Sequence, residues 1–179
     1  MGRHGGCPRL TYPHFGFYED LYFRELESRD RITTTLMAPA GWLAGLAGGL
    51  AYLWSAVLAD RSLVSWVCVG TVLASACWVN SLVNLLRAYY FHDWARLPPA
   101  VDIADYETAL LNHYMEHGLP VEEAGVHFEQ KMVRDLSEAA DRNFLVNHNR
   151  LTRARKATMW LAAAFLLVAI ASGLEVALG

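Results

Sequence analysis

Charged side chains are scarce in this sequence, whereas apolar side chains are abundant. Only 18% of the 179 residues are charged and 54% are hydrophobic, a larger apolar share than a soluble domain of this length needs. The formal net charge of -3 does not favour direct binding of nucleic acid. The scarcity of charge and the excess of apolar residues together predict a membrane protein.

Cysteine pairs and cofactor motifs are also missing. Cys7, Cys68 and Cys77 have no C-x-x-C or ligand-like spacing, so we expect free thiols and neither a disulfide framework nor a zinc site. The sequence has no glycine-rich phosphate loop and no recognisable Ser/His/Asp arrangement. We therefore expect no cofactor and no enzyme. The first long apolar run begins only near Leu36, so no cleavable signal peptide is expected.

Three long apolar runs are the main feature of what is present. Leu36–Ala59 and Ser62–Leu86 contain no charged residue, and Ala157–Leu178 contains a single glutamate near its end. Each run reaches the roughly 20 residues that a helix needs to cross a bilayer. Backbone groups in lipid must be bonded within the segment, which favours helices. The sequence predicts an all-α integral membrane protein with three transmembrane helices.

The distribution of cations predicts the orientation of these spans. Fourteen of the fifteen Lys and Arg residues precede the first span or lie between the second and third, and only Arg61 lies in the short turn with Asp60. By the positive-inside rule, leader 1–35 and helical segment 87–156 are cytoplasmic and the C-terminus is outside. We expect a multi-pass protein of the bacterial inner membrane, with residues 36–86 forming a hairpin and 157–178 a third span.

The leader is predicted to contain an amphipathic helix. The stretch from Phe17 to Met37 has no Gly or Pro and is bounded by Gly16 and Pro39. Its aromatic residues favour packing on a partner helix or at the headgroup surface.

The segment between the second and third spans is predicted to be helical as well. Leu97-Pro98-Pro99 is expected to end the second span's helix, and a short helix is expected over Asp102–His117, before the break at Gly118-Leu119-Pro120. Residues 126–172 then contain no Gly or Pro, which leaves open one continuous helix or a folded-back pair. An apolar stripe is expected along this segment at Val133, Leu136, Ala140, Phe144, Asn147, Leu151 and Ala154.

Two sets of residues within the spans are candidate contacts. Gly41, Gly45 and Gly49 lie four residues apart and would let another helix approach closely, either within the chain or from a second subunit. Asn80 and Asn84 share a face of the second span. They would either bond a neighbouring helix or line a polar path through an oligomer.

Three further clusters lie outside the spans. His113 and His117 are spaced to share a metal on one helical face, or they are simply solvated. A cytoplasmic polar face is formed by Arg142, Asn143 and Asn147, which would bond a neighbouring helix. A cationic cluster before the third span is expected to contact lipid headgroups, and its members are Arg150, Arg153, Arg155 and Lys156.

The segment Arg142-Asn143-Phe144-Leu145-Val146-Asn147-His148 has the form R-N-x4-H. This string resembles the motif of HEPN-type ribonucleases. The resemblance implies catalysis with His148 as acid or base and Arg142 as charge stabiliser. On a continuous helix the two side chains point about 120° apart, so a second chain would have to complete the site.

The whole-chain pattern is similar to that of small membrane effectors of prokaryotic conflict systems. The similarity rests on the leader Tyr18-Glu19-Asp20-Leu21-Tyr22 with the charged run 25–30, the tight hairpin, and Ala139-Ala140-Asp141-Arg142-Asn143. It resembles the SLATT group, although that group does not require a third span. The R-N-x4-H string also resembles the membrane accessory protein of type VI-B CRISPR systems.

These resemblances imply a self-associating protein that permeabilises or depolarises the inner membrane in antiphage defence. Its partners would be lipid, copies of itself, and a cytoplasmic sensor or nuclease. One alternative is a non-conducting membrane anchor or scaffold for a cytoplasmic enzyme. A second alternative is a membrane-tethered HEPN-like ribonuclease.

Overall fold

The computed structural model describes residues 15–59, 66–90 and 93–178. All regular structure in these ranges is α-helical, which confirms the predicted all-α class. The helices are α1 (Phe15–Ala59), α2 (Trp66–Tyr89), α3 (Ala100–Glu116) and α4 (Val121–Leu178). The helices α1, α2 and α4 are each long and apolar enough to cross a membrane. The turn Asp60–Arg61, the start of the second span at 62–65 and the first fourteen residues of the leader lie outside the described residues.

The first helix is longer than the sequence pattern predicted. Pro39 was expected to end the leader helix, but α1 continues through it for 45 residues in all. Proline removes one backbone hydrogen bond from a helix interior, and membrane helices tolerate that loss when neighbouring groups compensate. Leader helix and first span are therefore one element.

The second helix ends earlier than predicted. Its last residue is Tyr89, followed by a bond from the Tyr90 N–H to the Leu86 carbonyl at 2.8 Å, whereas the sequence placed the end at Leu97-Pro98-Pro99. Residues 93–99 are not helical. The backbone N–H and C=O of Ala95 instead bond the side chain of Asn143 on α4, so these groups do not need a helical partner.

The predicted break after the short helix is confirmed. Gly118 adopts φ of 64°, the left-handed conformation that favours glycine. The Leu119 N–H bonds the Tyr114 carbonyl at 2.9 Å and the Gly118 N–H bonds the Met115 carbonyl at 3.3 Å. This pair of bonds is a Schellman motif, which ends α3 before Pro120 and α4 follow.

The final helix settles one open question and corrects one prediction. A single helix runs over Val121–Leu178, so the segment 126–172 is continuous. Its buried positions differ from the predicted apolar stripe, because Phe144 is 55% exposed and Leu151 is 37% exposed. Asn143 and Arg150 are buried in place of these two residues. Both side chains make hydrogen bonds to backbone groups, which explains why polar residues occupy those positions.

The chain divides into two compact units. The α3 unit consists of Met1–Glu27 and Trp94–Leu145, and the span unit of Ser28–Asp93 and Val146–Gly179. The core of the α3 unit is formed by Tyr22 with three residues of α4: Leu136, Ala139 and Ala140.

The span unit packs α1, α2 and α4 around a core of leucines and alanines. Its buried residues are Leu36, Leu43, Leu46, Leu85, Ala88, Ala154, Ala157, Leu161 and Ala164. Two indole bonds join α1 to α2, from Trp78 Nε1 to the Leu43 carbonyl at 2.9 Å and from Trp54 Nε1 to Ser75 Oγ at 3.2 Å. The small alanine side chains bring the helices close together.

Candidate functional site

Asn80 and Asn84 lie on a side of α2 that is not part of the core of the span unit. Asn80 is exposed and Asn84 half-buried. The amide nitrogen of Asn80 donates to the Ala76 carbonyl at 2.9 Å, and that of Asn84 to the Asn80 carbonyl at 2.8 Å. Both amide nitrogens are thus bonded along their own helix. With the exposed Arg87, these side chains form a polar line on α2.

The buried side of α2 makes a polar contact with α4. Ser81 is fully buried, and its hydroxyl donates to the Ala157 carbonyl of α4 at 2.7 Å. Thr71 is buried as well but bonds the Val67 carbonyl of its own helix. Sequence reasoning selected the two asparagines and missed Ser81. A small hydroxyl one residue after Asn80 carries no signal that distinguishes it from other serines.

The glycine face of α1 is largely open within the described part of the chain. A Cβ added at Gly41, Gly45 or Gly48 would meet nothing within 4 Å, and one at Gly49 would meet only Val168 at 3.8 Å. A contact within the chain and a contact with a second subunit were both predicted for these glycines. Within the described residues, the contact inside the chain is made at Gly49 and not at Gly41 or Gly45. A close approach to a second subunit remains a prediction for Gly41 and Gly45.

The close approach inside the span unit occurs at a glycine that sequence reasoning missed. A Cβ at Gly70 would lie 3.3 Å from the Ala171 Cβ and 4.0 Å from its Cα. Here α2 and α4 pack with almost no intervening side chain. Gly70 is a lone glycine in α2 with no repeat at four residues, so the small-residue pattern could not single it out.

Arg150 connects three helices at one end of the span unit, although it is only 3% exposed. Its Nε donates to the Ala88 carbonyl of α2 at 2.9 Å. On α1, its Nη2 donates to Thr33 Oγ1 at 2.9 Å and its Nη1 to the Arg29 carbonyl at 3.4 Å. Ala88 lies in the last turn of α2, which ends at Tyr89. The guanidinium therefore bonds a carbonyl at the C-terminal end of α2, where a cation is favourable.

Burial disfavours the charged form of Arg150, and the hydrogen bonds of its guanidinium offset this effect. Burial, and to a smaller extent the positive charge of Arg29, lowers the pKa of the Arg150 guanidinium. Three donated hydrogen bonds compensate for lost hydration. The residue was predicted to contact lipid headgroups, but its donors are directed at protein groups. The headgroup prediction stands for the exposed Arg155 and Lys156 and the half-buried Arg153.

Within the R-N-x4-H string, Asn143 has a structural role, because it bonds the backbone of Ala95. Asn143 is fully buried, and its Oδ1 accepts from the Ala95 N–H at 3.0 Å while its Nδ2 donates to the Ala95 carbonyl at 3.1 Å. Arg142 and His148 are exposed, and Asn147 is 4% exposed. The ribonuclease prediction rests on the string alone, and the predicted polar face includes two buried amides.

His113 and His117 lie side by side on α3, with ring centroids 4.2 Å apart. The Nδ1 of His117 donates to the His113 carbonyl at 2.8 Å, because that carbonyl can only accept. Nearby, the Tyr114 hydroxyl bonds Nδ1 of His127 and joins α3 to α4. Within the described residues, no group of three or more His, Cys, Asp or Glu side chains could hold a metal ion.

Comparison with models of protein families, with curated proteins and with solved structures gives no significant match. The fold and the site therefore define the class directly. The chain is an all-helical protein with three candidate membrane spans and an outward polar line on the second of them.

Proposed function

We propose that this chain is a self-associating protein of the bacterial inner membrane that permeabilises or depolarises that membrane, as an effector of antiphage defence. The N-terminus and the α3 unit are cytoplasmic in this proposal, and the C-terminus is outside. The orientation rests on the fourteen cations that precede the first span or lie between the second and third. The defence assignment rests on the resemblance to SLATT-like effectors.

The polar line of α2 carries the proposal of self-association. Asn80 and Asn84 lie on a different side of α2 from its buried residues, within a stretch apolar enough to cross a bilayer. Each amide nitrogen donates one bond along its own helix, but lipid tails offer no partner to the remaining hydrogen-bonding capacity of the amide. Such side chains therefore favour another protein helix or a water-filled path. A ring of chains that turns these faces inward would supply both.

The open glycines of α1 support a close contact between copies. Glycine in a helix interior costs stability, yet within the described residues no neighbour lies close enough to require glycine at Gly41, Gly45 or Gly48. A glycine face that meets a second helix allows backbone approach and strong van der Waals packing. Gly41, Gly45 and Gly48 provide such a face.

The test combines the mass of the protein in detergent with leakage from liposomes. We expect a discrete oligomer and dye release for the unaltered chain. Replacing both Asn80 and Asn84 by Leu should abolish leakage, because the polar path loses its lining. The matched control replaces Val72 and Val79 by Leu, since both are exposed on the same helix and carry no polar group. Unchanged leakage in the Asn double variant would refute the pore.

A non-conducting anchor for a cytoplasmic enzyme is the second candidate function. The observation that favours it is the exposure of two aromatic side chains on the α3 unit, Phe17 at 63% and Phe23 at 57%. Exposed aromatic residues are typical of binding surfaces. If the chain is an anchor, Phe17→Ser with Phe23→Ser abolishes its activity in cells, while the Asn80 and Asn84 variants retain it. The effector proposal predicts the reverse.

A further inference from the structure

An apolar groove lies between α1 and α4 of the span unit. One part of it, with a volume of about 520 Å³, is lined by residues that include Pro39, Arg155 and Ala162. A second part of about 340 Å³ is lined by Trp42, Ala162 and Phe165 among others. The two parts share Thr158 and Ala162, so they adjoin along α4 and are together called the groove. Its size is that of a small-molecule site.

The groove opens at the point where α1 lacks a backbone hydrogen bond. Pro39 has no N–H to donate to the carbonyl of Thr35 one turn earlier, and its ring separates the two turns. On the facing side, α4 contributes the small side chain of Ala162. At the far end Trp42 and Phe165 meet edge to face, with ring centroids 5.9 Å apart, and they limit the length of the groove.

The groove combines a cation at one end with hydrocarbon along its length. Arg155 is the single charged side chain among the residues that line the two parts, and it is exposed. It stands two residues before Ala157, where the third span is predicted to begin. From Arg155 to Phe165 the helix rises roughly 15 Å. One leaflet of a hydrocarbon core about 30 Å thick has the same depth.

We propose that this groove binds one anionic phospholipid, with its phosphate at Arg155 and one acyl chain along Ala162 towards Trp42 and Phe165. An arginine offers a fork of donors that suits a phosphate. The apolar walls exclude a soluble phosphate compound as the natural ligand, since the groove would stay unfilled. The site does not depend on the proposed pore, because it lies between two helices of one chain.

The test measures lipid bound to the full-length protein by native mass spectrometry in detergent. The probes are dioleoyl phosphatidylglycerol and dioleoyl phosphatidylcholine, which share their chains and differ in charge. We expect one phosphatidylglycerol per chain, bound about five-fold more tightly than phosphatidylcholine. This ratio corresponds to the attraction of about 1 kcal/mol that one cation near the membrane surface contributes. Arg155→Gln should remove this preference, and Arg155→Lys should restore most of it.

Ala162→Phe should fill the groove and abolish retention of either lipid. The controls are Lys156→Gln, an adjacent exposed cation outside the groove lining, and Ala44→Phe, an exposed alanine of α1 that does not line the groove. Both controls should retain lipid, and an unchanged thermal melt would show that all variants fold. The proposal would be overturned if the protein retained the two lipids equally and neither Arg155→Gln nor Ala162→Phe changed that retention. A change in oligomer mass in Ala162→Phe with unaltered lipid would also overturn it, because a second copy would then occupy the groove.

Discussion

In the α3 unit, α4 buries the neutral amide of Asn143, whereas in the span unit it buries the guanidinium of Arg150. The amide makes two bonds to the backbone of a single residue, Ala95. The guanidinium bonds α2 at Ala88 and α1 at Thr33. A neutral amide suffices where one non-helical segment must be held, while a long, charged side chain reaches acceptors on two helices.

The surfaces of the two units also differ in the kinds of side chain that they expose. Along α4 the α3 unit exposes ion pairs between residues four apart, Lys131 with Asp135 at 3.0 Å and Arg134 with Glu138 at 2.8 Å. The Glu138 carboxylate raises the pKa of the Arg134 guanidinium. The span unit exposes large apolar side chains such as Leu58, Leu73 and Ile170. Such exposure suits a lipid environment, and ion pairs suit water.

The largest effect is expected at Arg150. Arg150→Met should lower the free energy of unfolding by about 3 kcal/mol, because the Ala88 carbonyl and the Thr33 hydroxyl lose a donor in a buried place. Thermal unfolding in detergent, followed by circular dichroism, measures this loss. Arg155→Met is the matched control, and it should cost little because Arg155 is exposed. Equal losses in the two variants would show that the bonds of Arg150 do not stabilise the unit.

A smaller effect is expected at Asn143. Asn143→Leu removes two hydrogen bonds and should cost about 2 kcal/mol. The local readout is hydrogen exchange of the Ala95 amide, which should become about ten-fold faster once its acceptor is gone. Asn149→Leu changes an exposed asparagine of the same helix and should leave that exchange unaltered. If Ala95 exchanges at its original rate in Asn143→Leu, the amide does not hold this segment.

The difference between the two buried polar residues also marks the limit of the sequence analysis. Apolar periodicity located the helices and the three long apolar runs, because those signals are local. It chose Phe144 and Leu151 for the buried side of α4, each one residue beyond the true position. Asn143 and Arg150 are buried because of backbone groups 48 and 62 residues away in the chain. No local pattern contains that information.

The same reasoning explains the other differences. Pro39 was read as a helix end, since its missing N–H is a local property, but packing against α4 keeps α1 continuous. The glycine repeat at Gly41 and Gly45 was visible, whereas the lone Gly70 was not. The functional assignment depends on contacts with other molecules, and a single chain does not contain them.

Gly70 and Gly45 allow a contact inside the span unit to be compared with an open position on its surface. Gly70→Ala should lower the free energy of unfolding by about 1 kcal/mol, because its Cβ would press on the Ala171 Cβ. Gly45→Ala should leave the isolated chain unchanged or slightly more stable, since nothing lies within 4 Å. Thermal melts of the dilute protein compare the two. A greater loss in Gly45→Ala would contradict the assignment of the close approach to Gly70.

The smallest effect compares the two sides of α2. Ser81→Ala removes the hydroxyl that bonds the Ala157 carbonyl at 2.7 Å, and hydrogen bonds between membrane helices contribute about 0.6 kcal/mol on average. Asn80→Ala removes an amide bonded only one turn back on its own helix, so the melt of the dilute chain should not change. At high protein concentration the order should reverse, because Asn80 then contributes to contacts between copies. If Ser81→Ala and Asn80→Ala behave alike at every concentration, the inward and outward sides of α2 have no separate roles, and the case for an oligomer built on the polar line fails.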